Sequence, residues 1–365
     1  MFLKKIPSIY FLIVFLPSIC FADVRIFTFV PRSGAYKLFG DEITHGAEIA
    51  VDEINKHGGI RGQKIELISV DDPCKQNLAI STSQMISSNS EIKPKLVIGP
   101  YCSQGLDEIS KIYEKAKIFQ IAPAFLTAPQ NKKNYLGLIQ LFGNKEQAAK
   151  DLFDFYNKHF AGQSVALISK SENENLDINI LSAFKKHGKS SLIHQYRQSD
   201  FETVDDLTDF IAQKNFDIVL SFDNPKYTGK IIRNLSQINP KTLFITSRYI
   251  ATPDFFEHAE NHLDNTVFMA LSEFEDRPEM AQDVVLLRLK GIEFKGLNIY
   301  GYTAVKMWAE LAQKNKTFDY DKLSQHIKKY GLKAPWGETF FTNGTTKNPL
   351  EYSFYKYQGG DFILK

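Results

Sequence analysis

Short apolar runs alternate with amphipathic stretches along most of the chain. Strands are predicted at 24–30 (VRIFTFV), 64–70 (KIELISV), 95–99 (KLVIG), 118–122 and 135–142. Helices are predicted between them at 41–56, 76–87 and 106–115. The first helix carries Ala47, Ile49, Ala50, Val51 and Ile54 on its apolar side and stops at His57-Gly58-Gly59. The rhythm then repeats: helix 145–159, strand 164–169, helix 176–187, strand 192–196, helix 203–214, strand 217–222, helix 227–238, strand 242–246, helix 253–262, strand 266–271. Three helices in succession follow, at 280–290, 299–315 and 320–330, and then tail strands at 338–341 and 351–357.

Such alternation predicts parallel sheets with helices on both faces. A single (β/α)₈ barrel is the competitor, and the break into consecutive helices and then strands fits it less well than two doubly wound lobes. The 365 residues suffice for two lobes, each of about 170 residues with its own core. No low-complexity linker separates them, so several chain crossings are expected. Ligands of open α/β sheets bind beyond the carboxyl ends of strands. That rule selects Pro31 to Gly34, Asp71-Asp72, Pro100 to Ser103, Pro123-Ala124, Lys170-Ser171, Asp223-Asn224 and Ser247-Arg248.

The first 22 residues break the pattern. Lys4 and Lys5 precede an apolar stretch from Ile6 to Ile19, and Cys20-Phe21-Ala22 places small residues at −3 and −1 of a cleavage point. This reads as a secretory signal peptide, with an uncleaved anchor as the alternative. Lipid attachment at Cys20 ranks lower, because Ile19 precedes it. Removing the leader takes away two lysines and no acid, leaving 42 basic against 42 acidic side chains. With no Lys/Arg block longer than two, a general nucleic-acid surface is disfavoured. Cys74 and Cys102 remain after cleavage. In an oxidising compartment a pair reads as one disulfide, the alternative being two buried thiols.

Several segments, in order and spacing, resemble the periplasmic leucine/isoleucine/valine-binding proteins, the solute-binding components of branched-chain amino acid ABC transporters. They are VRIFTFVPRSG, GAEIAVDEINKHGGIRGQKIEL with the following DDPC, KLVIGPYCSQG, and IAPAFLTAP. The likeness is strong over 24–129 and looser over 164–270, where DIVLSFDNPKYTGKIIRN and TLFITS carry it; the YTAVKMWAE helix and ETFFTNGTTKNP extend it towards the end. It implies a type I periplasmic binding protein: two α/β lobes joined by a three-crossing hinge, with the ligand cleft between them. Lobe 1 is then 23–141 with 274–345, and lobe 2 is 142–273 with 346–365.

The resemblance also implies a Cys74–Cys102 disulfide. Ser103 is implied to hold the ligand's α-carboxylate, the Ala124 carbonyl to meet its ammonium, and Thr127 to be a further contact. One extra residue in that loop leaves Leu126 as the alternative to Thr127. Phe39, where the family has a tyrosine, and Tyr101, beside the second cysteine, are candidate contacts for the ligand's side chain, the alternative being cleft wall. The family's lobe-2 tyrosine has no match near SENENL at 171–176. Arg248 falls where the family has the carboxylate that pairs with the ammonium. As a residue, Arg248 reads either as a fork for a ligand carboxylate or as half of an ion pair. The substitution suggests a ligand with a second anionic or acceptor group.

Other chemistry is sparse. Asp71 and Asp72 could coordinate a cation or pair with Arg32, and a structural role near the disulfide is favoured, since two adjacent carboxylates do not fill a metal shell. His258 and His262 share a helix face in HAENH, which lacks the glutamate of a zinc HExxH motif. No nucleophile elbow, P-loop or dinucleotide fingerprint is present in the sequence. The reading is therefore an exported, periplasmic, monomeric binding protein and no enzyme. It needs no cofactor, takes an amino acid or related small carboxylate, and partners an ABC permease and its ATPase subunits. The alternatives are a ligand sensor that signals to a receptor and, further off, a secreted α/β enzyme.

Overall fold

The computed structural model describes residues 24–102, 105–123, 135–141, 143, 145–169, 175–273, 281–289, 296–334, 337–339, 341–342, 345–346 and 351–365. The leader and the SENENL segment up to Glu174 lie outside these residues. In the first half, the elements are β1 (Val24–Val30), α1 (Lys37–Lys56), β2 (Ile65–Asp71), α2 (Gln76–Ser88), β3 (Leu96–Ile98), α3 (Leu106–Ala116), β4 (Phe119–Ala122) and β5 (Leu138–Gln140). Next come α4 (Lys145–His159), β6 (Val165–Ser169), α5 (Asn175–Lys186), β7 (Ile193–Arg197), α6 (Val204–Lys214), β8 (Ile218–Ser221), α7 (Pro225–Ile238), β9 (Leu243–Ser247), α8 (Pro253–Ala259) and β10 (Thr266–Leu271). The last part holds α9 (Ala281–Leu289), α10 (Asn298–Asn315), α11 (Tyr320–Tyr330), β11 (Leu332–Ala334), β12 (Gly337–Thr339), β13 (Phe341–Thr342), β14 (Thr345–Thr346), β15 (Tyr352–Gln358) and β16 (Asp361–Leu364).

Two sheets result. The first has the order β2-β1-β3-β4-β5 and is parallel throughout. The second, β16-β15-β10-β9-β8-β6-β7, is parallel from β7 to β10. Both parallel parts follow one winding, in which the first strand of each sits between its second and third. The strand order reverses there, and that is where α/β sheets open a crevice. The chain passes between the sheets three times: after β5, after β10, and between β14 and β15.

The central strands are buried on both faces, which is why their runs read as continuously apolar. In β1, Ile26 and Val30 face α1 and α10, while Phe27 and Phe29 face Ile109 and Tyr113 of α3. In β6, Val165 and Leu167 join the cluster around α4 and α5. Ala166 and Ile168 join the one around α6, α7 and α8. Among the described residues, no helix is long and apolar enough to cross a membrane.

Two departures from the sequence expectation have local causes. Helix α1 starts at Lys37 rather than at residue 41, and it buries Phe39 and Gly40. Gly40 looks like a breaker, yet it sits in the helix because the backbone of Pro31 passes there; a Cβ would lie 1.8 Å from the Pro31 carbonyl oxygen. The tail adds an unpredicted strand, β16, antiparallel to β15. Gly359 and Gly360, at φ +61° and +92°, make the tight link. So short a connection joins only antiparallel neighbours.

Candidate ligand-binding cleft

The carboxyl ends of β1, β2 and β3 are locked together before any ligand is considered. Cys74, just past β2, is bonded to Cys102, just past β3, with their Cα atoms 5.3 Å apart. Asp72 is fully buried between them. Its carboxylate accepts the N–H of Cys74 at 3.1 Å and of Cys102 at 3.0 Å. Burial pushes its pKa up, against the lowering by the N–H groups of Cys102, Cys74 and Tyr101. Asp71 accepts the backbone N–H of Arg32 at 2.6 Å and the Ser33 hydroxyl at 2.9 Å. The two acids brace the rim, as their sequence context suggests, and Asp71 meets the backbone of Arg32 rather than its guanidinium. The grouping of Asp72 with the two half-cystines offers no free thiolate to a metal.

On this frame stands an aromatic wall. Phe39 stacks on Tyr101 with centroids 6.0 Å apart, and Tyr36 meets the same ring at 6.2 Å. Phe39 and Tyr101 are 8% and 9% exposed, so they form wall more than contact surface. Burial pushes the Tyr101 hydroxyl well above its ordinary range, with Tyr36 and Glu42 adding to the effect.

Arg248 faces this wall from the second sheet. It follows β9, and its guanidinium is paired with the carboxylate of Glu273, which follows β10. The guanidinium carbon lies 4.5 Å from the Phe362 ring centroid and 5.7 Å from that of Tyr355. The Glu273 N–H donates to the Tyr355 hydroxyl at 3.1 Å. The C-terminal hairpin thus holds the Arg248–Glu273 pair in place.

Between the two sides lies a hollow of about 230 Å³. Phe39, Glu42, Leu297 and Tyr300 line it from the first sheet's side, and Arg248, Glu273 and Phe362 from the other. Glu42 sits one helical turn after Phe39. Its Oε2 accepts the N–H of Leu297, the residue preceding α10, at 2.8 Å. Burial raises its pKa, and the Leu297 N–H and Arg248 offset part of that.

Phe39 and Arg248, selected from sequence, therefore share one hollow, and Tyr101 stands behind Phe39. Ser103, Ala124, Leu126 and Thr127 lie outside the described residues. Glu42, Glu273, Leu297, Tyr300 and Phe362 were missed. Glu273 had a signal, since the carboxyl-end rule applied to the strand ending at Leu271 points to Ser272-Glu273. Glu42 had a weaker one, its three-residue spacing from Phe39 on one helix face. His258 shares its cluster with Asp254 and Glu257, and its Nδ1–H donates to the Asp254 carbonyl at 2.8 Å, as in an ordinary helix-face histidine.

The architecture has counterparts among known proteins. The family model described as periplasmic binding protein matches residues 23–361. The Leu/Ile/Val-binding protein BraC3 of Rhizobium johnstonii is 21% identical over 347 residues, covering 94% of each chain. The crystal structure of a leucine binding protein, LivK, from Thermotoga maritima superposes with a TM-score of 0.77 at 17% identity, covering 94% of this chain and 97% of that one. LivJ of Streptococcus pneumoniae, a branched-chain amino acid transporter substrate binding protein in complex with isoleucine, gives 0.75 at 19%, covering 94% and 99%. At such identities the structures speak for the fold.

Proposed function

The chain belongs to the periplasmic binding protein family, and from that premise we propose that it is the exported solute-binding component of an ABC importer. In this reading it closes two lobes on an amino acid or related small carboxylate and hands it to a membrane permease driven by ATPase subunits. Lobe 1 comprises 23–141 with 274–345, and lobe 2 comprises 142–273 with 346–365. The leader directs the chain to the periplasm, and the protein works as a monomer without catalysis.

One observation carries the proposal. Residues at the strand ends of the second sheet and at the starts of α1 and α10, two helices packed on the first, converge on one hollow. A ligand seated there touches both lobes only when they are closed. Its binding energy then shifts the population towards the closed form. Ser103 is assigned to the ligand's carboxylate, with Ala124 and Thr127 beside it.

Isothermal titration of the mature protein with single amino acids tests this. One-to-one binding of at least one of them is expected, with a drop in radius of gyration by X-ray scattering on saturation. Ser103→Ala is expected to weaken that binding by roughly 1.5–3 kcal/mol, the range for a hydrogen bond to a charged group. Binding without contraction would remove the closure step, and an unchanged affinity in the variant would remove Ser103 from the site.

A further inference from the structure

Arg248 is held by more contacts than an ion pair needs. It opens the turn after β9, and its guanidinium meets one residue from each strand beyond β9 on that side of the second sheet: Glu273 after β10, Tyr355 in β15 and Phe362 in β16. The Phe362 ring is the nearer of the two aromatics, with its centroid 4.5 Å from the guanidinium carbon. The pairing of β16 on β15 sets Phe362 opposite Tyr357, and the ring of Phe268 closes on it at 5.1 Å. The Phe362 ring is therefore fixed by its own neighbours while it carries the guanidinium. A guanidinium offers donors on all three of its nitrogens. Arg248 gives one, on Nη1, to Glu273. Among the described residues no acceptor meets its Nε or Nη2, although the side chain is only 21% exposed and lines the hollow. A largely buried donor left without a partner is costly, and it marks a place where an acceptor from outside is held.

Resting on the reading of the cleft as a solute site, we propose that Phe362 is a positioning residue: it holds the Arg248 guanidinium so that the N–H groups Glu273 leaves unused meet a hydrogen-bond acceptor of the ligand. The ion pair stays intact, because Glu273 occupies Nη1 alone. Sequence sets the ligand fork and the ion pair as alternatives for Arg248, and a guanidinium with two working sides serves as both. Glu273 already balances the charge of the guanidinium, so the acceptor needs none of its own. A carbonyl, amide or hydroxyl oxygen suits the place as well as a carboxylate does. Phe362 matters because an arginine side chain has several rotatable bonds, and ordering them on binding costs affinity unless they are ordered beforehand. An aromatic face orders them without competing for the N–H groups.

Three single variants of the mature protein test this. Phe362→Leu keeps apolar bulk and has no ring, and Phe362→Tyr keeps the ring. Phe256→Leu removes a ring packed on Tyr357 at 4.7 Å in the same cluster, one that makes no contact with Arg248. The first readout needs no ligand: the rate at which phenylglyoxal modifies Arg248, followed by peptide mass spectrometry. Phe362→Leu is expected to raise that rate roughly threefold or more, and Phe362→Tyr to restore the wild-type rate. Phe256→Leu is expected to lower the urea midpoint and leave the rate alone. The second readout is calorimetry with the standard amino acids, the tightest binder then being carried to the variants. Phe362→Leu is expected to weaken it roughly fivefold or more, and the other two variants by less than about twofold. In the wild-type protein that amino acid is expected to slow the modification of Arg248 as well. Equal rates and affinities in Phe362→Leu and wild type overturn the positioning role, and so does a Phe256→Leu variant that matches Phe362→Leu in both. A raised rate with unaltered affinity, or an Arg248 that the bound amino acid leaves unprotected, removes the ligand contact and leaves the solute-binding reading standing. Failure of every amino acid to bind overturns the amino-acid reading and the contact at Arg248 with it, and the modification rates still decide whether Phe362 sets the guanidinium.

Discussion

Changing Cys74 and Cys102 together to serine is expected to reduce the free energy of unfolding by roughly 3–4 kcal/mol in the chain-entropy model of a crosslink. The bond closes a loop with a sequence separation of 28 that contains α2 and β3. Because the strand order is β2-β1-β3, it bridges over the end of β1 and fastens both flanking strands. Both half-cystines are only half-buried, so serine at either position leaves no hydroxyl stranded in the core. The loss is therefore attributable to the crosslink. It reaches the cleft as well. Asp72 accepts the N–H of each half-cystine, and Tyr101, the neighbour of Cys102, supports Phe39. Denaturant unfolding checks this, with reductant added to the wild-type protein as a control that changes no residue. Reductant and the double substitution should lower the midpoint by the same amount. A midpoint that neither one moves would mean that the three loops are held by their hydrogen bonds alone.

The fold was legible because the core is built in layers. A strand covered on both faces must be apolar throughout, so β1, β6 and β10 stand out from the sequence within a residue of their observed bounds. Helices with one buried stripe stand out too, and α4 and α11 run as predicted. Failures arise where a distant backbone sets the local rule. The start of α1 was missed because Gly40 answers to Pro31 and not to its own neighbours. Strand β16 was missed because its exposure pattern, with Ile363 and Leu364 half-exposed, carries no alternation.

The cleft was legible by position and illegible by pairing. Strand-end geometry selects Tyr101 and Arg248 without any knowledge of the tertiary fold. It does not say that Arg248 meets Glu273, 25 residues on, or that Glu42 meets Leu297, 255 residues on. Those partners are set by which strand ends and helix starts the winding brings together. The engagement of Arg248 by Glu273 therefore came from the structure, and the sequence alone left it open between a ligand fork and an ion pair.

Gly301→Ala is expected to destabilise the protein by about 3–4 kcal/mol, at or above the usual upper limit for overpacking a core. Helices α1 and α10 are in backbone contact where they cross. A Cβ on Gly301 would lie 1.9 Å from the Ile43 carbonyl oxygen, and one on Gly46 would lie 1.8 Å from that of Asn298. Both obstacles are main chain, so no rotamer change relieves them and the helices must part. Parting them loosens Ile43, Ala47, Val305 and Trp308, all buried against this seam. Helix propensity pulls the other way, favouring alanine over glycine by about 1 kcal/mol, and is outweighed. The Gly46→Ala/Gly301→Ala double variant should lose less than the sum of the two, since either change opens the same seam. The effect extends to the site. The Leu297–Glu42 hydrogen bond spans this seam about one turn from Gly301, so separation removes the brace on Glu42, and ligand affinity falls in whatever protein remains folded. Urea unfolding of the two single variants and the double checks the stability terms. A raised midpoint for Gly301→Ala, the result propensity alone demands, would mean that α1 and α10 are not in backbone contact and that Glu42 owes its position to something else.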